Sequence, residues 1–378
     1  MMKIKRRIQE SVEALLLPNK VNVIFGSRRT GKTYLLDRLA EDSPYKILRL
    51  EGEDADTHIL LAERSIANYK RLLEGAELLM IDEAQAIPEI GKVLKLMVDQ
   101  VPGLRIIATG SSAFDLANQA GEPLTGRAYY HTLYPVAQLE LSPTQNLLKI
   151  RQQLPDRMVL GSYPELFSIK TREAQEQYLK MLVNAFLLKD ILAFDGIRNA
   201  AKVYDLLRLI AYQMGKEVSL EELGKQLQMS KNTVEKYLDL LTKVFVVFRV
   251  GGYSRNLRKE ITKNSRWYFF DNGIRNALIN DFRPLPLRDD MGALWENYLI
   301  AERLKKYAFT TVTTPDYYFW RTYDQQEIDW VEYQNGQLSA FEFKWSSQTA
   351  KIPKAFAEGY PQASFEVIHR ENYLPFIQ

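Results

Sequence analysis

Residues 21–33, Val-Asn-Val-Ile-Phe-Gly-Ser-Arg-Arg-Thr-Gly-Lys-Thr, constrain the fold of this chain more than any other stretch. An apolar run suited to a buried strand, Val21 to Phe25, ends at Gly26. Gly31, Lys32 and Thr33 follow, then a helical pattern from Tyr34 to Ala40. Glycine reaches positive φ without a Cβ clash, so the loop can curl and turn successive backbone N–H groups inward. Those donors and the positive end of the next helix form a cradle for polyphosphate. In such a cradle Lys32 reaches the β- and γ-phosphates and the Thr33 hydroxyl holds Mg²⁺. A plain glycine-rich turn is the competing reading. The strand before and the helix after favour a P-loop (Walker A) that binds ATP, with Gly26, Ser27, Arg28, Arg29, Thr30, Gly31, Lys32, Thr33 and Tyr34 as its contact set.

Two later segments supply the hydrolytic half of such a site. Leu78-Leu79-Met80-Ile81 reads as a strand buried on both faces, closed by Asp82-Glu83. Ligands bind at the C-terminal ends of parallel strands, which positions Asp82 for Mg²⁺ and Glu83 to polarise the attacking water (Walker B). An acid-capped helix start is the alternative. Leu104 to Ala108 is a further apolar strand ending in Thr109-Gly110-Ser111-Ser112. Thr109 and Ser111 are both candidates to sense the γ-phosphate, or they simply cap a helix. Arg127, in Leu124-Thr125-Gly126-Arg127, is a candidate arginine finger, although most lone loop arginines are only solvated.

Composition narrows the rest. A chain of 378 residues with 46% hydrophobic and 26% charged content is long enough for two or three ordinary globular domains. Without cysteine there is no disulfide and no thiolate metal site, and His58, His131 and His369 are too dispersed for a histidine cluster. The basic start Met1-Met2-Lys3-Ile4-Lys5-Arg6-Arg7 is followed by polar residues that break any signal-peptide core. Ile4, Ile8, Val12 and Leu15 instead predict an amphipathic helix before Pro18. No run approaches the ~18 apolar residues of a membrane span, so a cytoplasmic protein without membrane contact is expected.

After a helical stretch from Leu147 to Tyr212, Ser219 and Glu222 form a capping box that opens a short helix. Ser230 caps a second helix, Lys231 to Leu241, which gives a helix-turn-helix layout. Val244 to Val250 and Trp267 to Phe270 read as wing strands, and Arg255, Arg258, Lys259, Lys263 and Arg266 between or beside them stand against one acid, Glu260. With Lys231, Asn232, Thr233 and Lys236, these residues are a candidate surface for duplex DNA; a protein-interaction module is the alternative.

The C-terminal region ends in a hairpin signal, Asn335-Gly336, between alternating segments. Counting outward from that turn sets Gln334 opposite Gln337 and Asp329 opposite Glu342, with Lys344 on the same face. Facing carboxylates repel unless neutralised, so a divalent metal between Asp329 and Glu342 is one expectation. The other is an ion pair of Lys344 with Glu327. Asp329, Glu342 and Lys344, with Glu296 as a fourth member, match the short pattern of PD-(D/E)XK nucleases.

Together the loop, Asp82-Glu83, Thr109-Gly110-Ser111-Ser112 and Leu124-Thr125-Gly126-Arg127 resemble an AAA-type ATPase. The whole chain resembles the prokaryotic AAA+ proteins with a C-terminal domain of unknown function; Leu160 to Glu165, Asp271-Asn272-Gly273 and Trp295-Glu296-Asn297 look like that family's linking motifs. The resemblance implies a RecA-like α/β ATPase core, then a winged helix, then a mixed α/β restriction-endonuclease-like domain. The expected division is an N-terminal helix over 1–18, the ATPase core over 19–145, a helical linker over 146–212, the winged helix over 213–271 and the nuclease-like domain over 272–378. The expected activity is ATP hydrolysis whose state controls a DNA-facing C-terminal half. A scaffold NTPase that binds protein partners and an ATP-gated nuclease are the alternatives. A finger acting between subunits would require a homo-oligomer.

Overall fold

The computed structural model describes residues 4–111, 124–187, 199–254, 265–310 and 314–378. They form two compact units: Met1–Val136 with Lys243–Phe245, and Ala137–Thr242 with Val246–Gln378.

The first unit is a five-stranded parallel sheet flanked by helices. Its strands are β1 (Lys20–Phe25), β2 (Ile47–Glu51), β3 (Leu78–Asp82), β4 (Arg105–Gly110) and β5 (Ala128–Thr132). They lie side by side in the order β2-β3-β4-β1-β5, all parallel. Burial follows that order. All five residues of β3 are buried, as are five of six in β1 and in β4, whereas β2 and β5 at the edges are half exposed. The continuous apolar runs in the sequence are therefore the central strands, covered on both faces. Because β1, β3 and β4 are adjacent and parallel, their C-terminal ends bring the three sequence motifs to one edge. This is the RecA-like α/β arrangement expected of the N-terminal region. The first residues add a short helix, Ile8–Ala14, within the expected span.

The second unit begins with helices, Leu147–Leu160, Arg172–Met181 and Ala200–Tyr212 among them. The helices Leu220–Leu227 and Lys231–Lys243 follow, with Gln228 between them in the left-handed region at φ 52°. The Ser219 side chain accepts the Glu222 N–H, which is one of the two bonds of the expected capping box. The remaining strands are β6 (Glu217–Val218), β7 (Val247–Gly252), β8 (Ser265–Phe269), β9 (Asp316–Arg321), β10 (Glu327–Gln334), β11 (Gln337–Phe343) and β12 (Ser364–Ile368). They make a single mixed sheet in the order β12-β11-β10-β9-β7-β8-β6. The two wing strands are thus continuous with the C-terminal sheet, through a parallel pairing of Gly251 and Gly252 with Tyr318 and Phe319. A boundary at residue 271 would cut across that sheet.

The three linking motifs converge on a buried knot. The Asp271 carboxylate accepts the Ser162 and Gly273 N–H groups at 2.7 and 2.9 Å. Asn272 donates to the carbonyls of Met158 and Leu294, and Asn297 donates to Asn272 and to the Phe269 carbonyl. A Cβ on Gly161 would lie 1.9 Å from Asp271 Oδ1, and one on Gly273 would lie 2.0 Å from the Leu160 carbonyl oxygen. At Gly273 a larger residue would require the backbone to move; at Gly161, which also has φ 75°, it would displace the Asp271 carboxylate.

Candidate functional site

The phosphate loop is shaped by two glycines with different tasks. Gly26 packs so closely on β5's extension that a Cβ would fall 2.3 Å from the Leu133 carbonyl oxygen. Gly31 caps the helix Lys32–Glu41 at φ 93°, a left-handed conformation that costs glycine least. Arg29 is also left-handed, at φ 62°. Thr30 donates to the Ser27 carbonyl at 2.8 Å and closes the loop. Lys32 is buried, and its Nζ donates to the Gly26 and Ser27 carbonyls at 3.0 and 3.3 Å, with Glu83 Oε1 at 3.8 Å. Its ammonium thus rests on the loop's own oxygens. Thr33 is exposed at the helix start, and Tyr34 and Arg28 are half-buried.

At the end of β3, Asp82 is buried and accepts from the Thr109 hydroxyl and from the Glu83 N–H, the latter at 3.1 Å. Glu83 turns away in the left-handed region at φ 46°, and its N–H also points to Thr109 Oγ1 at 3.1 Å. The sequence leaves Thr109 and Ser111 as equals, but their surroundings differ. Thr109 is fully buried and engaged with Asp82, whereas Ser111 lies on the Glu83 side. Gln85 links the two there: its Nε2 donates to Glu83 Oε2 at 2.5 Å and to Ser111 Oγ at 3.2 Å. Glu51, opposite Asp82 in the β2–β3 register, has its pKa raised by burial and by the charges of Asp82 and Glu83. The hydroxyl of Thr33 and the carboxylate of Asp82 are hard oxygen donors, which fits Mg²⁺.

Sequence reasoning missed four residues that hold this site. Gln85 is one. Arg6 is another: buried rather than part of a basic tail, it donates to the Thr30 carbonyl at 2.7 Å and to the Tyr134 carbonyl at 2.6 Å. It clamps the loop from below. Gly52 donates its N–H to the Asp82 carbonyl at 2.8 Å, and a Cβ there would meet the Glu83 carbonyl oxygen at 2.3 Å. His58 Nε2 lies 2.6 Å from the Gly52 carbonyl and braces it. Only Arg6 carries a local signal, its place in the apolar Ile4–Ile8 turn; the others depend on contacts across strands.

Arg127 lies at the opposite edge of the sheet. Its carbonyl accepts the Val21 N–H, so it sits before β5 and level with the start of β1. The phosphate loop begins beyond Phe25, roughly 13 Å further along at strand rise. Its guanidinium is held by Asp99, with Nε to Oδ1 at 2.7 Å and a second nitrogen to Oδ2 at 3.1 Å. Arg127 is therefore engaged by Asp99 and set back from the loop of its own chain.

In the C-terminal hairpin the register is the one counted from the turn: Gln334 pairs with Gln337 and Trp330 with Phe341. Asn335 and Gly336 both have positive φ, 51° and 82°, as a type I′ turn needs. Asp329 Oδ2 accepts the Phe343 N–H at 2.9 Å. Lys344 pairs with Glu342 at 2.8 Å and not with Glu327. The unforeseen member is Arg266. Grouped by sequence with the basic wing, it is instead buried, 2.8 Å from Glu327, 3.8 Å from Glu296 and 4.0 Å from Asp329. Tyr268 donates to Glu296 Oε1 at 2.5 Å. Burial, then the charges of Glu296 and Glu342, push the Asp329 carboxyl well above its ordinary range; burial also raises Glu296. Among the described residues no group of three or more His, Asp or Glu side chains is arranged to hold a metal. The expected ion between Asp329 and Glu342 does not fit, because a guanidinium already lies beside Asp329 and an ammonium beside Glu342.

On the helix Lys231–Lys243, Lys231, Asn232 and Lys236 are exposed. Thr233 is half-buried, with its hydroxyl 2.8 Å from Ser230 Oγ, so it belongs to the cap rather than to a contact face. Lys231 lies 3.6 Å from Glu221. Arg255, Arg258 and Lys259 lie outside the described residues. No described helix is long and apolar enough to cross a membrane.

Comparison with known protein families agrees with the topology of the first unit. Residues 18–142 match an AAA domain model, 151–285 a domain of unknown function (DUF8612) and 291–374 a domain of unknown function (DUF4143). An uncharacterized protein of Mycobacterium tuberculosis is 30% identical over 333 residues, covering 86% of this chain and 70% of that protein. One from Methanocaldococcus jannaschii is 23% identical over 273 residues, covering 65% of this chain and 60% of its own. Among solved structures, a STAND signal transduction ATPase with a tetratricopeptide repeat sensor from Pyrococcus horikoshii aligns at 12% identity and TM-score 0.31, over 80% of this chain and 46% of that one. A point variant of RuvB from Thermotoga maritima aligns at 17% identity and TM-score 0.32, over 65% of this chain and 90% of that one. The chain belongs to the family of AAA-domain proteins that the mycobacterial relative represents.

Proposed function

We propose that this chain binds Mg²⁺-ATP at Gly26–Thr33 and hydrolyses it, and that its nucleotide state controls a C-terminal unit that contacts duplex DNA. The observation that carries the hydrolytic reading is the meeting of Lys32, Asp82 and Glu83 beyond the C-terminal ends of β1 and β3, the two strands that flank β4, with Lys32 Nζ 3.8 Å from Glu83. On nucleotide arrival the Lys32 ammonium exchanges the loop carbonyls for the β- and γ-phosphate oxygens. Thr33 and Asp82 would hold Mg²⁺, which offsets phosphate charge. Glu83 takes a proton from water as its oxygen bonds to the γ-phosphorus, and the bond to the β-phosphate oxygen breaks to release ADP and phosphate. Gln85 holds Glu83 and Ser111 in one hydrogen-bonded line, and its buried Oε1 finds no donor among the described residues. That oxygen can accept from the attacking water. Thr109 keeps Asp82 oriented, which leaves Ser111 to sense the γ-phosphate. The DNA reading rests on exposed Lys231, Asn232 and Lys236 along one helix of a helix-turn-helix.

Glu83→Gln tests the hydrolytic reading by separating binding from chemistry. Turnover falls by about 10²–10⁴-fold, the usual worth of a positioned base, while ATP binding by calorimetry persists. Unchanged turnover removes Glu83 from the mechanism.

A further inference from the structure

The structure assigns to Arg266 the role of resident cation in the C-terminal carboxylate cluster: we propose that its guanidinium, with Lys344 on Glu342, balances these carboxylates in place of a divalent metal, so that the folded chain excludes metal there. The strand β8, Ser-Arg-Trp-Tyr-Phe, is buried at every position, and a charged residue in such a strand must find compensation. Arg266 finds it in three acids from two other elements: Glu296 of the helix Met291–Thr310, and Glu327 and Asp329 of β10. Its guanidinium also lies over the Phe319 ring at 4.5 Å, which fixes its plane against β9. Arg321, 3.9 Å from Glu327 and 3.1 Å from Glu217, adds a second cation on the same side.

The other ligands a metal would recruit are also taken. Glu342 is paired with Lys344, Asp329 accepts a backbone N–H, and Glu296 accepts from Tyr268. A magnesium ion requires oxygens converging to ~2.0–2.1 Å in octahedral array. Here Glu296, Glu327 and Asp329 are spread around a planar group, and Glu342 is held apart by Lys344. A divalent ion brought among them would face the buried positive charge of Arg266 across a poorly screening interior. Arginine suits this post because it remains charged in any protein setting and its planar fork reaches several carboxylates at once. The cluster therefore acts as an ion-paired joint that ties β8 to β10 and to the helix Met291–Thr310, and nuclease chemistry through a metal is absent unless Arg266 leaves.

The test is a Mn²⁺ titration of the full, nucleotide-free chain, with free Mn²⁺ read by electron paramagnetic resonance. Wild type and Asp329→Asn should bind Mn²⁺ alike, since Asp329 holds none in either. Arg266→Gln, with its fold checked by circular dichroism, should gain one Mn²⁺ at least tenfold tighter than any wild-type site. That ion should be lost in the double variant Arg266→Gln/Asp329→Asn. A wild-type Mn²⁺ that Asp329→Asn abolishes overturns the proposal, and so does a folded Arg266→Gln chain that binds no additional ion. Should Arg266→Gln fail to fold, the comparison of wild type with Asp329→Asn decides alone.

Discussion

Single residues in this protein are set by what burial does to their charge. Asp271 is fully enclosed in the knot of linking motifs, and burial pushes its carboxyl up to about 6 against the opposing pull of Lys305 and three backbone N–H groups. His131 shows the reverse case: desolvation lowers its imidazole to about 4, and it stays neutral beside Asn22 Oδ1 at 2.8 Å. The two act oppositely on stability. Between their unfolded and folded values the unfolded chain releases the Asp271 proton first, so that contribution is complete below pH 3.8 and is lost as pH rises through about 6. For His131 the unfolded chain binds the proton first, so stability is gained as pH rises from about 4 through 6.5. A difference measurement separates them. Relative to Asp271→Asn, wild type should lose roughly 3 kcal/mol in denaturant unfolding between pH 4 and pH 7, the equivalent of two pKa units. A difference that does not change with pH contradicts this account of Asp271. Neither shift was legible in the sequence, since each depends on enclosure by residues far along the chain.

At the level of elements, legibility followed locality. The loop Gly26–Thr33 and the hairpin at Asn335-Gly336 are specified by neighbouring residues, and the structure has both, down to the register of Trp330 with Phe341. The Ser219 cap and the two helices around Gln228 are equally local. What the sequence did not disclose is pairing across long separations. Arg266 reads as one of a basic run, yet its strand is buried on all sides; the apolar Trp267 to Phe270 beside it was the available signal. Likewise β7 and β8 read as wing strands, and β7 in addition pairs with β9, so the strands extend one sheet. Among the described residues, the helix Lys231–Lys243 is the part on which the proposed contact with duplex DNA rests. In fluorescence anisotropy, Lys231→Ala/Lys236→Ala should weaken duplex binding and reduce the slope of log affinity against log salt by about 2, since each phosphate contact contributes roughly 0.9. Equal affinity and slope in the variant would remove this helix from the interface.

For the molecule as a whole, the position of Arg127 matters most. It stands at the edge of the sheet remote from its own loop and is held by Asp99. If it acts as a finger, it acts on the loop of another copy. Arg127→Ala should then lower turnover by about 10³-fold, the scale of a finger meeting transition-state charge. Mixing Arg127→Ala with Lys32→Ala, which keeps its finger but loses its site, should restore part of the activity. A mixture no more active than its components contradicts action between copies.

On the proposed reading, ATP hydrolysis in the N-terminal unit depends on Lys32. The most direct measurement is phosphate release from ATP in Mg²⁺ by wild type and by Lys32→Ala, side by side. Wild type should turn over, and Lys32→Ala should fall by at least about 10²-fold, as when a preorganised charge-stabilising donor is removed. Turnover by Lys32→Ala equal to wild type would contradict the account.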